Sequence, residues 1–149
     1  MSGEVRGSDL WPVTSDQFAE VRYNVRMNSE TQSYKDLVVW QKGIDLAKLV
    51  YQLTTNFPGE EKFGLVSQMR RAAVSIPSNI AEGQARHTTG EFVQFISHAE
   101  GSVAELETQI ILAVELGFCA KPQVLAAYET LDEIRRMLNS LRRKLPKRR

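Results

Sequence analysis

From residue 34 onward, apolar positions recur at intervals of three and four, the period of helices that bury one face. Leu37, Trp40, Ile44, Ala47, Tyr51 and Thr54 form one such line, and Leu46, Leu49, Leu53 and Phe57 form a second on the same segment. The spacing predicts a first helix from about Ser33, a candidate N-cap, to Thr55, with two buried faces. The run "NFPG" ends it, because Pro58 restricts Phe57 to extended backbone and Gly59 frees the chain to turn. A second helix is expected from Glu60 and Glu61, acids suited to the positive end of a helix dipole. Its seam is Phe63, Val66, Met69, Ala73 and Ile76; Ile80 and Ala81 resume that face, and Gly83 supplies a left-handed exit.

Thr88 and Glu91, at capping-box spacing, announce a third helix with the stripe Phe92, Phe95, Ala99, Val103, Leu106, Ile110 and Ala113, closed by Gly117. Small residues at its middle, Ala99, Gly101, Ser102 and Ala104, permit a close approach by another backbone. A fourth helix follows Lys121, with Pro122 in its first turn. Val124, Ala127, Leu131, Ile134, Leu138, Leu141 and Leu145 then alternate steps of three and four, as in a coiled-coil seam, until Pro146 ends it.

Long helices, short loops and no convincing strand predict an all-α chain, an antiparallel up-down-up-down four-helix bundle over residues 33–145. A helix of about 24 residues spans about 36 Å, so the four are expected to match in length. Residues 1–32 read as an irregular N-terminal arm, loose or docked on a partner, with isolated Leu10, Trp11, Phe18, Val21 and Tyr23. Met27 is a second candidate for the initiating residue, and residues 146–149 form a basic C-terminal tail.

The stretch "RRAAVSIPSNIAEGQ", residues 70–84, breaks the pattern. Pro77 inside a helix removes the partner of the Ala73 carbonyl and costs about 3 kcal/mol. A kinked second helix is expected, with Ser75, Ser78 or Asn79 supplying substitute hydrogen bonds and Gln68 a further candidate. A binding site at the same residues is the alternative, although no Ser/His/Asp arrangement or glycine-rich phosphate loop accompanies them.

Composition narrows the setting. The 149 residues suffice for one domain that buries about two thirds of its unfolded surface without disulfides or metal. The single Cys119 excludes an internal disulfide framework and reads as a small packed residue, so a reducing cytoplasm is the expected location. No apolar run approaches the ~18 residues of a membrane span, and no secretory h-region is present at the N-terminus. No cofactor or metal is expected: the bundle-type metal site wants Glu-x-x-His on two helices, whereas His98 lies two turns from Glu105 and His87 sits in a loop.

Charge is distributed unevenly although the net is only +1. From Lys121 to Arg149, nine Lys or Arg face the three acids Glu129, Asp132 and Glu133, a local net of +6. Arg142, Arg143, Lys144, Lys147, Arg148 and Arg149 crowd the last eight residues, the footprint of phosphate binding; a solvated tail is the plainer reading. No aromatic interleaves them, so base stacking by the tail is not expected. Arg70, Arg71 and Arg86 form a second basic set, and Glu82, Glu100, Glu105 and Glu107 are expected to pair with arginines within or between subunits.

The segment from Tyr34 to Leu145, above all "FP" at 57–58, "QMRRAAVSIPSNIAEG" at 68–83 and "GSVAELETQI" at 101–110, resembles the four-helix-bundle family first read from intervening sequences in bacterial large-subunit ribosomal RNA genes. Members of that family are similar to the accessory protein of diversity-generating retroelements, a homopentameric barrel associated with nucleic acid and the reverse transcriptase. The resemblance implies a homo-oligomer, pentameric by analogy, with RNA or DNA and a protein as its partners. The expected function is a non-enzymatic scaffold that binds nucleic acid nonspecifically or positions a nucleic-acid enzyme. The alternative is a structural or protein-interaction assembly with an incidental basic tail.

Overall fold

The computed structural model describes residue 34 and residues 37–146; the arm at 1–32, Ser33, residues 35–36 and Lys147–Arg149 lie outside the described residues. Four α-helices follow one another: α1 (Val38–Thr54), α2 (Leu65–Gln84), α3 (Thr89–Glu115) and α4 (Lys121–Lys144). A 3-10 turn at Gly59–Glu61 lies between α1 and α2, and no strand occurs among the described residues. Each helix packs on its neighbours in sequence, and α4 closes the ring against α1. This is the expected all-α antiparallel bundle.

The helices are not matched in length: they run for 17, 20, 27 and 24 residues. The shortest, α1, begins at Val38 rather than near residue 33. Its most buried line is Val39, Gly43, Leu46, Val50 and Thr54, which passes between the two expected seams. A helix held between α2 and α4 points its centre line at the core, so the flanking Trp40, Ala47 and Leu53 are only half-buried and Tyr51 is exposed.

The second helix also starts later than its acids suggest. Glu61 Oε2 accepts a hydrogen bond from the Leu65 N–H at 3.1 Å, so the acid caps α2 from four residues upstream instead of beginning it. Residues 62–64 are thereby left outside the helix, and Phe63, expected in the seam, stands in solvent at 89% exposure. Beyond Leu65 the seam forms as expected, with Val66, Met69, Ala73, Ile76 and Ile80 buried.

At Pro77, α2 continues as one helix. The ring is buried against α1 at Gly43, where a Cβ would stand 3.2 Å from Pro77 Cβ and 3.3 Å from Cδ. The polar residues around it do not serve the Ala73 carbonyl; they stitch α2 to α3. Asn79 Nδ2 donates to the Ser75 carbonyl (2.8 Å) and to Ser75 Oγ (2.9 Å). Ser75 Oγ meets Ser102 Oγ at 2.8 Å, and Ser102 Oγ donates to the His98 carbonyl at 3.2 Å. The donors therefore run in one direction, from Asn79 through Ser75 and Ser102 to His98, which satisfies both the half-buried Ser75 and the buried Ser102 hydroxyl. Ser78 and Gln68 face solvent.

Gly83 is not an exit in left-handed backbone. It lies inside α2, buried where α3 crosses closely: a Cβ there would meet Phe92 Cδ2 at 2.7 Å and Phe95 Cβ at 2.8 Å. The positive φ belongs to Gly117, at 78°, which turns the chain after α3. Thr88 caps α3 as its spacing predicts, its Oγ1 accepting from the Glu91 N–H at 3.2 Å. Of the small residues at the middle of α3, Ala99 and Ser102 are buried, whereas Gly101 and Ala104 face out.

α4 follows its heptad-like line: Val124, Ala127, Leu131, Ile134 and Leu138 are buried, and Leu141 and Leu145 pack at the edge of the core. The Gln123 side chain accepts from the Ala120 N–H at 2.7 Å at its start. At its end Leu145 is extended (φ −77°, ψ 139°), as a residue before proline must be.

Candidate nucleic-acid interface

The cations of the second half of α4 divide into two groups. Arg135 reaches Glu107 on α3 and Asp132 on its own helix, and Arg136 also reaches Asp132. Arg142, the first of the clustered tail cations, is drawn back onto α3: Nη2 and Nε donate to Glu100 Oε1 at 2.9 and 3.2 Å, and Nη2 donates to Ser97 Oγ at 2.9 Å. Arg143 and Lys144 remain, exposed in the last turn of α4 with no ion pair among the described residues. Their position at the negative end of the helix dipole favours positive charge there whatever else binds.

Arg142 thus braces α3 against α4. Lys147, Arg148 and Arg149 lie outside the described residues. The end of the bundle that carries Arg143 and Lys144 also carries the α2–α3 connection. There Arg86 lies over the Phe95 ring at 4.8 Å, and His98 meets the same ring edge-on at 5.9 Å.

Of the four acids expected to pair with arginines, Glu100 and Glu107 do so within the chain, with Arg142 and Arg135 rather than Arg70, Arg71 or Arg86, while Glu82 is exposed with no ion pair among the described residues. An antiparallel neighbour in lateral register supplies the partner, and α4 lies beside the acidic face of α3. Glu105 instead accepts from Gln109 Nε2 at 3.2 Å, while Gln109 Oε1 is buried without a hydrogen-bond partner. Across the bundle, Lys42 and Glu133 tie α1 to α4 at 2.9 Å; the hydrogen bond and charge of Glu133 raise the Lys42 pKa.

Reactive groups are few. Burial pushes the Cys119 thiol above its ordinary range, which lowers its thiolate fraction. Burial and the nearby Glu107 charge raise the Tyr128 hydroxyl. Among the described residues no group of three or more His, Cys, Asp or Glu side chains is placed to hold a metal ion, and no helix is long and apolar enough to cross a membrane.

The family model of the 23S rRNA-intervening sequence protein matches residues 35–140, from ahead of α1 into the last turns of α4. The chain belongs to this family. A member of the S23 ribosomal protein family from Bacteroides thetaiotaomicron, a crystal structure of a protein of unknown function, superposes with a TM-score of 0.65 at 22% identity. The match covers 72% of this chain and 100% of that one, and at this identity it shows the shared fold. No curated protein matches the chain. The intervening-sequence match ends before Arg142, so the clustered tail cations lie beyond the segment that defines family membership here.

Proposed function

We propose that this intervening-sequence family member is a non-enzymatic scaffold of self-assembling helical bundles that holds nucleic-acid phosphates without reading bases. Positioning a nucleic-acid enzyme is the other form this scaffold role takes. The observation that carries the reading is the division of the α4 cations: its arginines up to Arg142 are neutralised by carboxylates, whereas Arg143 and Lys144 stand exposed and lead into three further cations. Five cations within seven residues of sequence favour a polyanion, and the setting proposed is the cytoplasm. Self-assembly, as a pentamer by family resemblance, draws support from exposed Ile111, Leu112 and Leu116 on α3 and its C-terminal turn, and from exposed Leu125 on α4.

The test is fluorescence anisotropy with a labelled duplex and a structured RNA at low and raised salt, paired with light scattering. The expected affinity falls with salt at a log–log slope of roughly −0.9 per phosphate engaged. Replacing Arg143, Lys144, Lys147, Arg148 and Arg149 by Gln, with Arg142 left to brace α3, should abolish the salt-dependent binding of the duplex. Absence of binding by the unaltered chain at low salt refutes the nucleic-acid role. The alternative, an assembly built on protein contacts alone, is favoured if these exposed apolar residues drive association while both nucleic acids are ignored. A pentamer has a mass of about 85 kDa, five chains of 16.9 kDa.

A further inference from the structure

At the opposite end of the bundle, the last turn of α1 and the first half of α2 line a shallow, open cleft of about 670 Å³. Its charged lining is of one sign: Lys62, Arg70 and Arg71. Most of its apolar lining is exposed, with Phe63 at 89%, Tyr51 at 41% and Val74 at 43%, above a buried Val66. The late start of α2 produces this arrangement, because Glu61 is consumed in capping and the next two residues, Lys62 and Phe63, are turned outward together.

Arg70 is held before any ligand arrives. Its Nε donates to Thr54 Oγ1 at 2.9 Å, its Nη2 donates to the Tyr51 carbonyl at 3.4 Å, and its guanidinium lies over the Tyr51 ring at 4.5 Å. Thr54 Oγ1 is itself oriented, donating to the Val50 carbonyl at 2.8 Å. A guanidinium fixed in this way presents a planar cationic face with little rotamer freedom left to lose on binding. Lys62 Nζ stands 5.5 Å from the Phe63 ring centroid, and Arg71 is exposed with no ion pair among the described residues.

From this geometry we propose that the cleft is a stacking platform for single-stranded nucleic acid, with bases on Phe63 and on the Arg70–Tyr51 stack and phosphates on Lys62 and Arg71. Flat apolar faces beside an all-cationic lining match a chain whose bases are unpaired and whose backbone is anionic. A duplex hides those faces, and a simple acidic peptide supplies the charge without them. The platform does not rest on the cationic end of α4: it lies at the other end of the bundle and uses none of its residues.

The experiment uses the full chain in which Arg143, Lys144, Lys147, Arg148 and Arg149 are Gln, so that failure of the tail reading leaves this result intact. Probes are a short oligoadenylate, the matching abasic strand and inorganic polyphosphate. The oligoadenylate is expected to bind, to quench the added indole of a Phe63→Trp variant, and to exceed the abasic strand in affinity by about five- to a hundredfold. Phe63→Ala should weaken it by a similar factor and Arg71→Gln by a smaller one, with unchanged melting because both side chains are exposed. Equal binding of the abasic strand or polyphosphate, or no effect of Phe63→Ala, overturns the proposal. So does a change of oligomer mass in Phe63→Ala, which would make the ring a contact between copies, or preferential binding of an acidic aromatic peptide.

Discussion

Substituting Gly83 by Ala separates two physical roles for one glycine. In an exposed helix interior the change stabilises by about 1 kcal/mol, because alanine loses less backbone entropy. Here the added Cβ would come within 2.7 Å of Phe92 Cδ2 and 2.8 Å of Phe95 Cβ. The second contact is with an atom anchored on the α3 backbone, so relief requires the first turns of α3 to move away from α2. That places the cost in the upper part of the overpacking range, about 2–3 kcal/mol, and leaves a net loss of about 1–2 kcal/mol after the helix gain. For a domain of this size the loss lowers the melting temperature by roughly 3–8 °C. Urea denaturation followed by helical circular dichroism at fixed protein concentration measures it, with an unchanged m-value. Gly83→Asn sharpens the test: asparagine suits left-handed backbone, but it is bulkier than alanine and a poorer helix former, so a packing notch makes it the worse substitution. Gly83→Ala at or above the stability of the parent, or Gly83→Asn milder than Gly83→Ala, would refute the close-approach argument.

Other perturbations probe the rest of the frame. Leu106→Ala, at a fully buried site of α3, should cost about 2–5 kcal/mol by chemical denaturation; a loss under 1 kcal/mol would mean that the core collapses around the site. Ser102→Ala deprives the Ser75 hydroxyl of its acceptor and should cost about 1–2 kcal/mol, while the Ser75→Ala/Ser102→Ala double variant should cost less than the sum of the two singles. Strict additivity would show that the hydroxyls do not interact. The Lys42–Glu133 pair raises the folded-state Lys42 pKa above its unfolded value, so its stabilisation is fully present below about pH 10.4 and is lost as pH rises through the folded value. The stability difference between the parent and Lys42→Met should therefore hold at neutral pH and shrink above pH ~10.4; a constant difference across that range contradicts the linkage. Cys119, buried and raised, should react with an aromatic disulfide reagent at least about tenfold more slowly in the native chain than in urea, and equal rates would place the thiol at the surface.

Periodicity alone determined the class of fold, the number of helices in the described region and most of the core. α4 was the most legible, because Val124, Ala127, Leu131, Ile134 and Leu138 face one side only and a single stripe has one interpretation. The Thr88 cap and the Gly117 turn were also readable, since each is a local device whose partner lies within a few residues. Non-local choices were not. Whether Gly83 turns the chain or admits a neighbour depends on where Phe92 and Phe95 stand, and whether Glu61 begins a helix or caps one depends on where the chain must enter the bundle. The same limit applies to charge: the cluster at the C-terminus is visible in the sequence, but Glu100 sits 42 residues before Arg142 and removes it from the free cations. Phe63 completes the pattern, apolar enough to join a seam and left outside only because the helix starts two residues later. Sequence fixes which faces each helix must bury; tertiary packing decides which of the remaining side chains are left free to meet a partner, because that depends on contacts between residues far apart along the chain.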